Sequence, residues 1–318
     1  MAILKSVILT VTLLSMNICY GYGYDSKDFN CEDQIDVPIL MDTVDQIDDT
    51  SIVFDSPNNR VKEDVRRALI GKLYEECLDQ QLLLLEVDDL SVQNIDALFS
   101  LLSSVYFYSH IEKVLAHLEL LVEIKENKDI DAQKEVAVLN SHYIRARNID
   151  GIQELAKKYP QLNLQQIPPI ENYSKTPGRR TLKLTNNQQG LIQQYFEFPD
   201  GGFIVVSTIA SCYRSSQLLQ SIKQRSDLSS IFEKNALFIS APDTNLALWP
   251  LKYFEKKMSP FSLNFSFSKV DWPEMKNWNS PVLYFYLDGE LKSQFAGWPE
   301  GGREDELRDA LFAIGLLN

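Results

Sequence analysis

Histidine is nearly absent from this chain. There are three in 318 residues, His110, His117 and His142, all in the first half. His110 and His117 stand seven apart and could share a helix face, but a metal site needs further ligands close by. No metal and no cofactor is expected. Also lacking are a Gly-rich phosphate loop, a G-x-S-x-G elbow and an H-E-x-x-H pair, so the signatures of nucleotide-binding, serine-hydrolase and zincin chemistry are missing. Beyond the N-terminus no run reaches the ~20 apolar residues of a membrane helix; 82–85 is soon broken by acids. Basic residues are short too: 31 Lys and Arg face 44 Asp and Glu, for a net charge of −13. Such a surface repels nucleic acid and anionic lipid, so neither is expected as a partner.

What is present begins with an export leader. Lys5 gives a positive start, an apolar run over 7–16 follows, and Gly21 and Gly23 supply small residues. That layout predicts a cleaved signal peptide over 1–23, with no membrane span after its removal. The acids then crowd together, from Asp25 and Asp28 to Asp49 and Asp55. With few large apolar residues among them, 24–60 reads as a largely irregular, solvated lead-in.

Cysteine is scarce: Cys19, Cys31, Cys77 and Cys212. Cys19 leaves with the leader, and three thiols in an oxidising compartment leave at least one unpaired. The economical assignment is a structural disulfide between Cys31 and Cys77, with Cys212 over. The alternative, that Cys31 and Cys77 never meet, stays open because spacing alone cannot show their geometry.

The rest divides by periodicity. Apolar residues at helical spacing predict helices over 61–86 and 96–125, the second with a break near 108–110, and a shorter pair over 131–147 and 149–159. Tyr159-Pro160 stops the pattern. This gives an all-α helical bundle over 61–165, a candidate surface for partner contact or dimerisation. Pro168, Pro169 and Pro177-Gly178 mark a linker over 166–178. From 179 to 318 the pattern is α/β. Strands are expected over 180–185, 191–198, 203–209, 236–240, 282–287 and 290–295, and helices over 211–223, 246–258 and 303–317. Asp288-Gly289 makes the tight turn of a hairpin. The sequons at Asn172 and Asn264 are what chance provides in a chain rich in Asn and Ser. Trp249, Trp272, Trp278 and Trp298 all fall in this half, where core packing accounts for at least half of them.

Three stretches in order resemble the thioredoxin superfamily, in particular its exported redoxin branch. The run from Phe203 into Cys212-Tyr213-Arg214-Ser215 resembles the central strand and the Cys-x-x-Cys helix that follows it. Ser280-Pro281, directly before the strand over 282–287, resembles the family's cis-proline loop. Asp288-Gly289, Gly297 and the last helix resemble the terminal hairpin and helix. The resemblance implies a two-domain chain: the helical bundle, then a thioredoxin-like fold with a central mixed sheet flanked by helices.

It also implies a site. Cys212 would be the nucleophile at a helix N-terminus, where unpaired N–H groups and the helix dipole favour thiolate. Arg214 would add to that effect. Ser280 and Pro281, with Tyr213, would form the platform for an extended peptide. Three departures qualify this. Ser215 stands where the second cysteine would, Ser211 replaces the preceding aromatic, and Val206 replaces the buried acid. A hydroxyl cannot resolve a mixed disulfide, so dithiol chemistry within the motif is excluded. Thiol-disulfide exchange of isomerase type, or capture of client thiols, remains; the alternative is a non-catalytic adaptor or chaperone-like module. Client thiols or extended peptides are the expected partners. The likeness to bacterial redoxins favours the periplasm over general secretion.

Overall fold

The computed structural model describes residue 44, residues 67–79, residue 82 and residues 90–317. The expected leader, Cys31 and all but one residue of the acidic segment lie outside the described residues. Helices come first, and a mixed eight-stranded sheet with its own helices follows. No helix among the described residues is long and apolar enough to cross a membrane.

The first helical stretch, 67–79, contains a π-turn at Tyr74–Leu78 that buries Tyr74, Cys77 and Leu78. Helix α1 (Val92–Ser109) starts at Ser91, whose Oγ accepts the Asn94 N–H at 3.2 Å, an N-cap. It ends at His110, which takes the left-handed conformation at φ 57°. Helix α2 (Glu112–Asn127) follows at once, so the expected break in 96–125 is real and sits at His110. Helices α3 (Gln133–Ala146) and α4 (Ile149–Lys158) form the shorter pair. The chain separates into two compact units. One holds the described residues through Tyr143 together with Glu154–Leu164; the other holds Ile144–Gln153 and the described residues from Gln165 onward.

In the second unit the strands are β1 (Ile170–Glu171), β2 (Arg180–Leu184), β3 (Leu191–Tyr195), β4 (Gly202–Ser207), β5 (Ala236–Ser240), β6 (Leu263–Ser266), β7 (Val282–Leu287) and β8 (Glu290–Ala296). Their order across the sheet is β1-β3-β2-β6-β5-β4-β7-β8. Strand β4 is an interior strand, parallel to β5 and antiparallel to β7. Its sequence, Gly-Phe-Ile-Val-Val-Ser, is β-branched at its centre and buried from Phe203 to Ser207, as a strand covered on both faces must be. The edge strand β8 carries exposed Glu290, a charge that discourages pairing with another chain. Between β4 and β5 lie α5 (Tyr213–Lys223) and α6 (Ser226–Asn235); α7 (Leu248–Met258) links β5 to β6, and α8 (Glu304–Ala313) closes the chain. Helix α6 and strands β1 and β6 go beyond the elements expected from the sequence, and β1 falls within the expected linker, where it pairs with β3.

The two faces of the sheet are covered differently. Phe238 on β5 points to the helical face, where its ring lies 6.4 Å from Phe232 of α6 and 5.9 Å from Phe254 of α7. Its neighbours in the strand, Leu237 and Ile239, belong to the other face, with Phe203, Val205, Tyr284 and Tyr286. That face is packed by residues of the long connection between β6 and β7, chiefly Trp272 and Met275, and by Phe196 and Phe198. Arg180 of β2 grips Asp271 through a two-pronged ion pair at 2.9 and 3.0 Å. Arg179 pairs with Glu274 at 3.3 Å and lies over the Phe198 ring. The connection is therefore irregular in backbone yet anchored in the core, and it ends at Ser280-Pro281.

Candidate functional site

Strand β4 delivers the chain to this site. After Ser207 the backbone makes one further sheet-like contact, Thr208 N–H to the Ile239 carbonyl at 2.8 Å, then turns. Cys212 is the N-cap residue of α5, with an extended backbone and no side-chain cap. The first intrahelical bond, Ser216 N–H to the Cys212 carbonyl, is 3.0 Å. The N–H groups of the first turn therefore have no helical partner and face the Cys212 end.

The opposite wall comes from the β6–β7 connection. Ser280-Pro281 is a cis peptide directly before β7. The Ser280 carbonyl accepts the Cys212 Sγ–H at 3.4 Å. The Ser280 hydroxyl accepts the Ile209 N–H at 2.9 Å and shares a 2.6 Å hydrogen bond with the Ser215 hydroxyl. Cys212, Ser215 and Ser280 thus meet, from two segments more than sixty residues apart in sequence. Ser215 is almost fully buried, Cys212 half-buried and Tyr213 70% exposed. Cys212 is a free thiol.

The thiol sits under opposing influences. Burial, the largest of them, raises its pKa. The Ser215 N–H, the hydroxyls of Ser280 and Ser215, and the Arg214 N–H all lower it, and together they prevail: Cys212 is held below the ordinary cysteine value. Arg214 acts here through its backbone; its exposed guanidinium turns to Gln217 Oε1 at 3.5 Å. The two hydroxyls matter because they can reorient. One proton is shared between them, and the other is available to Sγ when Cys212 ionises. The Ile209 N–H keeps Ser280 in place meanwhile.

The remaining sequence candidates go elsewhere. Val206, at the place of the family's buried acid, is wholly buried in β4. Cys77 is buried, while Cys31, its expected partner, lies outside the described residues. Each histidine has its own neighbour: His117 bonds Asp79 at 3.3 Å, His142 bonds Ser103 at 2.7 Å, and His110 packs edge-on to Tyr106. No group of side chains able to hold a metal occurs among the described residues. Asn264 is buried in β6 and donates to the Phe238 carbonyl, whereas Asn172 is exposed in a turn. Trp272 and Trp298 are buried, Trp278 is half-buried and Trp249 is exposed. The hydroxyl pairing of Ser215 with Ser280 had no sequence signal beyond the residue types. The separation of 65 positions hides it.

No protein-family model and no curated protein matches the chain. Among solved structures it is similar to an uncharacterized thioredoxin-like protein from Porphyromonas gingivalis. The identity is 13%, over 45% of this chain and 93% of that one, with a TM-score of 0.31. A score that low leaves the fold resting on the strand order and connections described above.

Proposed function

We propose that 179–318 is a thioredoxin-like module of an exported protein, the periplasm being the favoured compartment, and that Cys212 is a monothiol nucleophile. The order β5-β4-β7-β8, with helices between β4 and β5 and a hairpin leading into a last helix, supports the fold. One observation carries the chemistry: Cys212 stands at a helix N-terminus among two backbone N–H groups and two hydroxyls that favour its thiolate.

The reaction is exchange without net redox change. The Cys212 thiolate attacks one sulfur of a client disulfide. That S–S bond breaks, a Cys212–client disulfide forms, and the other client sulfur leaves as thiolate and is protonated by water. A second client thiolate then attacks the client sulfur of the mixed disulfide and releases Cys212 as thiolate. Ser215 offers no sulfur to resolve the intermediate, so the client supplies the resolving thiol. This is isomerase-like chemistry, or capture where no second client thiol is in reach. Cys31 and Cys77 form a structural disulfide in this reading, which Cys77, itself disulfide-bonded, supports. The helical domain serves partner contact or dimerisation.

Iodoacetamide alkylation of the purified mature protein, followed against pH with peptide mapping, tests the proposal. Native reaction at Cys212 with an apparent pKa well below the ~8.5 of a free cysteine supports it; clients then become trappable as mixed disulfides. Reaction only after unfolding, or an ordinary titration, removes its premise. A second reading, a binding module without chemistry, draws on the exposed apolar residues beside Cys212, Ile209 at 40% and Tyr213 at 70%. Under that reading Cys212→Ser keeps client binding intact.

A further inference from the structure

We infer that Tyr284, on β7 and away from the reacting atoms, is a positioning residue for Cys212 that acts through the loop carrying Ser280. The inference rests on reading Cys212 as a nucleophile. Tyr284 is wholly buried on the sheet face packed by the β6–β7 connection. Its hydroxyl accepts the Asn277 N–H at 3.1 Å and donates to the Asn277 carbonyl. One phenol therefore satisfies both backbone groups of a single loop residue.

From Asn277 the loop is tied at every step to the cysteine. Asn277 Oδ1 accepts the Asn279 N–H at 3.0 Å. The Trp278 carbonyl accepts from the Ser207 hydroxyl of β4 at 3.3 Å. The Ser280 hydroxyl is held by the Ile209 N–H, and the Ser280 carbonyl and hydroxyl serve Cys212. Phenylalanine would fill the same core volume, so the Tyr284 hydroxyl serves the loop rather than the packing. Without it, two partly buried backbone groups of Asn277 lose this partner and must turn to water. The segment up to Ser280 then relaxes, and hydrogen bonds to Sγ weaken steeply with distance and angle.

Tyr286 supplies the comparison. It stands two residues along β7, is equally buried and also bonds the connection, but at Glu274, 3.2 Å away and six residues before Ser280. The groups that shift Cys212 most are burial, the Ser215 and Arg214 N–H groups and the Ser280 and Ser215 hydroxyls. The alkylation midpoint of Cys212 therefore reads local geometry.

The experiment measures the pH profile of Cys212 alkylation in the mature chain, for wild type, Tyr284→Phe and Tyr286→Phe, with urea midpoints for each. Tyr284→Phe is expected to raise the apparent pKa of Cys212 and slow alkylation at pH 7 by about three- to tenfold, the thiolate fraction lost over half to one pKa unit. Tyr286→Phe is expected to lower the urea midpoint comparably while keeping the rate within about twofold. An unchanged profile in Tyr284→Phe overturns the inference, as does an equal shift in both variants, which would mean general loosening. An ordinary cysteine titration in the wild type overturns the reading of Cys212 itself, and the inference with it. Should Tyr284→Phe not fold, Asn277→Ala tests the loop between Tyr284 and Ser280 by removing the Asn279 acceptor; an upward shift is expected, and a flat profile overturns the inference because the loop then transmits nothing to Cys212.

Discussion

At the scale of residues, Ser215 gains most from the structure. Read along the sequence it marks a loss, a hydroxyl where a resolving sulfur would stand. In space it is a buried donor, 2.6 Å from the Ser280 hydroxyl and among the groups that lower the Cys212 pKa. Deleting the hydroxyl while keeping the N–H separates those contributions. Ser215→Ala is expected to raise the apparent pKa of Cys212 and slow native alkylation at pH 7 by about threefold, the thiolate fraction lost over half a unit. Ser215→Thr, which keeps a donor, should recover most of the rate if its extra methyl fits. A profile for Ser215→Ala that superimposes on wild type would mean that the backbone N–H groups and the Ser280 hydroxyl hold the thiolate without Ser215. The sign follows from the donor role: hydrogen bonds to the charged form favour it, so their loss favours the thiol.

At the scale of elements, backbone approach decides how the sheet is closed. Gly202 opens β4, and a Cβ built there would lie 2.3 Å from the Ile314 carbonyl just past α8. That oxygen is backbone and cannot swing aside as a side chain could. Gly202→Ala is therefore expected to destabilise the protein by about 1–3 kcal/mol, the usual cost of overpacking. Gly301→Ala meets nothing within 4 Å and should be close to neutral. Urea midpoints of the two variants against wild type measure the contrast; equal midpoints would show that the closing helix yields. The same scale shows what sequence could reveal. Strand β4 and the hairpin of β7 and β8 were legible because β-branched runs and Asp288-Gly289 carry local signals, and the observed turn has φ 52° and 77°. The His110 break was legible as an interruption of helical spacing. Strand β6 was not, because Leu-Asn-Phe-Ser is only four residues long; it does alternate apolar and polar residues, but its polar Asn264 and Ser266 are buried as well. Helix α6 was not, since its Ser-rich start, Ser-Asp-Leu-Ser-Ser, reads as a loop, and only Leu228 and Phe232 are buried. The anchoring of the β6–β7 connection by Tyr284 and Tyr286 uses partners 7 and 12 residues away, but Arg179 and Arg180 hold it from 95 and 91 residues away, which no window of sequence contains.

At the scale of the whole molecule, the excess of acid bears on stability as well as on partners. A chain of net charge −13 repels itself at neutral pH, and acid titration relieves that repulsion. Particular carboxylates work the other way. Burial pushes Glu126 of α2 up, but hydrogen bonds from Lys158 at 2.8 Å and Tyr159 at 2.6 Å outweigh it, and its pKa lies below the ordinary 4.5. A carboxylate with a depressed folded pKa contributes stability that is fully present above its unfolded value and fades as pH falls through the folded one. The contribution of Glu126 should thus be intact above about pH 4.5 and lost progressively below it, the reference value of the unfolded group. Glu126 joins α2 to the end of α4 and to Tyr159 just beyond, so Glu126→Gln should cost stability at pH 7 in the unit that holds these residues. The measurement is the urea midpoint of wild type and Glu126→Gln between pH 3 and pH 7. The gap between them is expected to be widest at neutral pH and to close as the wild-type carboxylate is protonated. A gap that stays constant to pH 3 would mean that the side chain acts by packing and hydrogen bonding that survive protonation, and that acid weakens the protein through other groups.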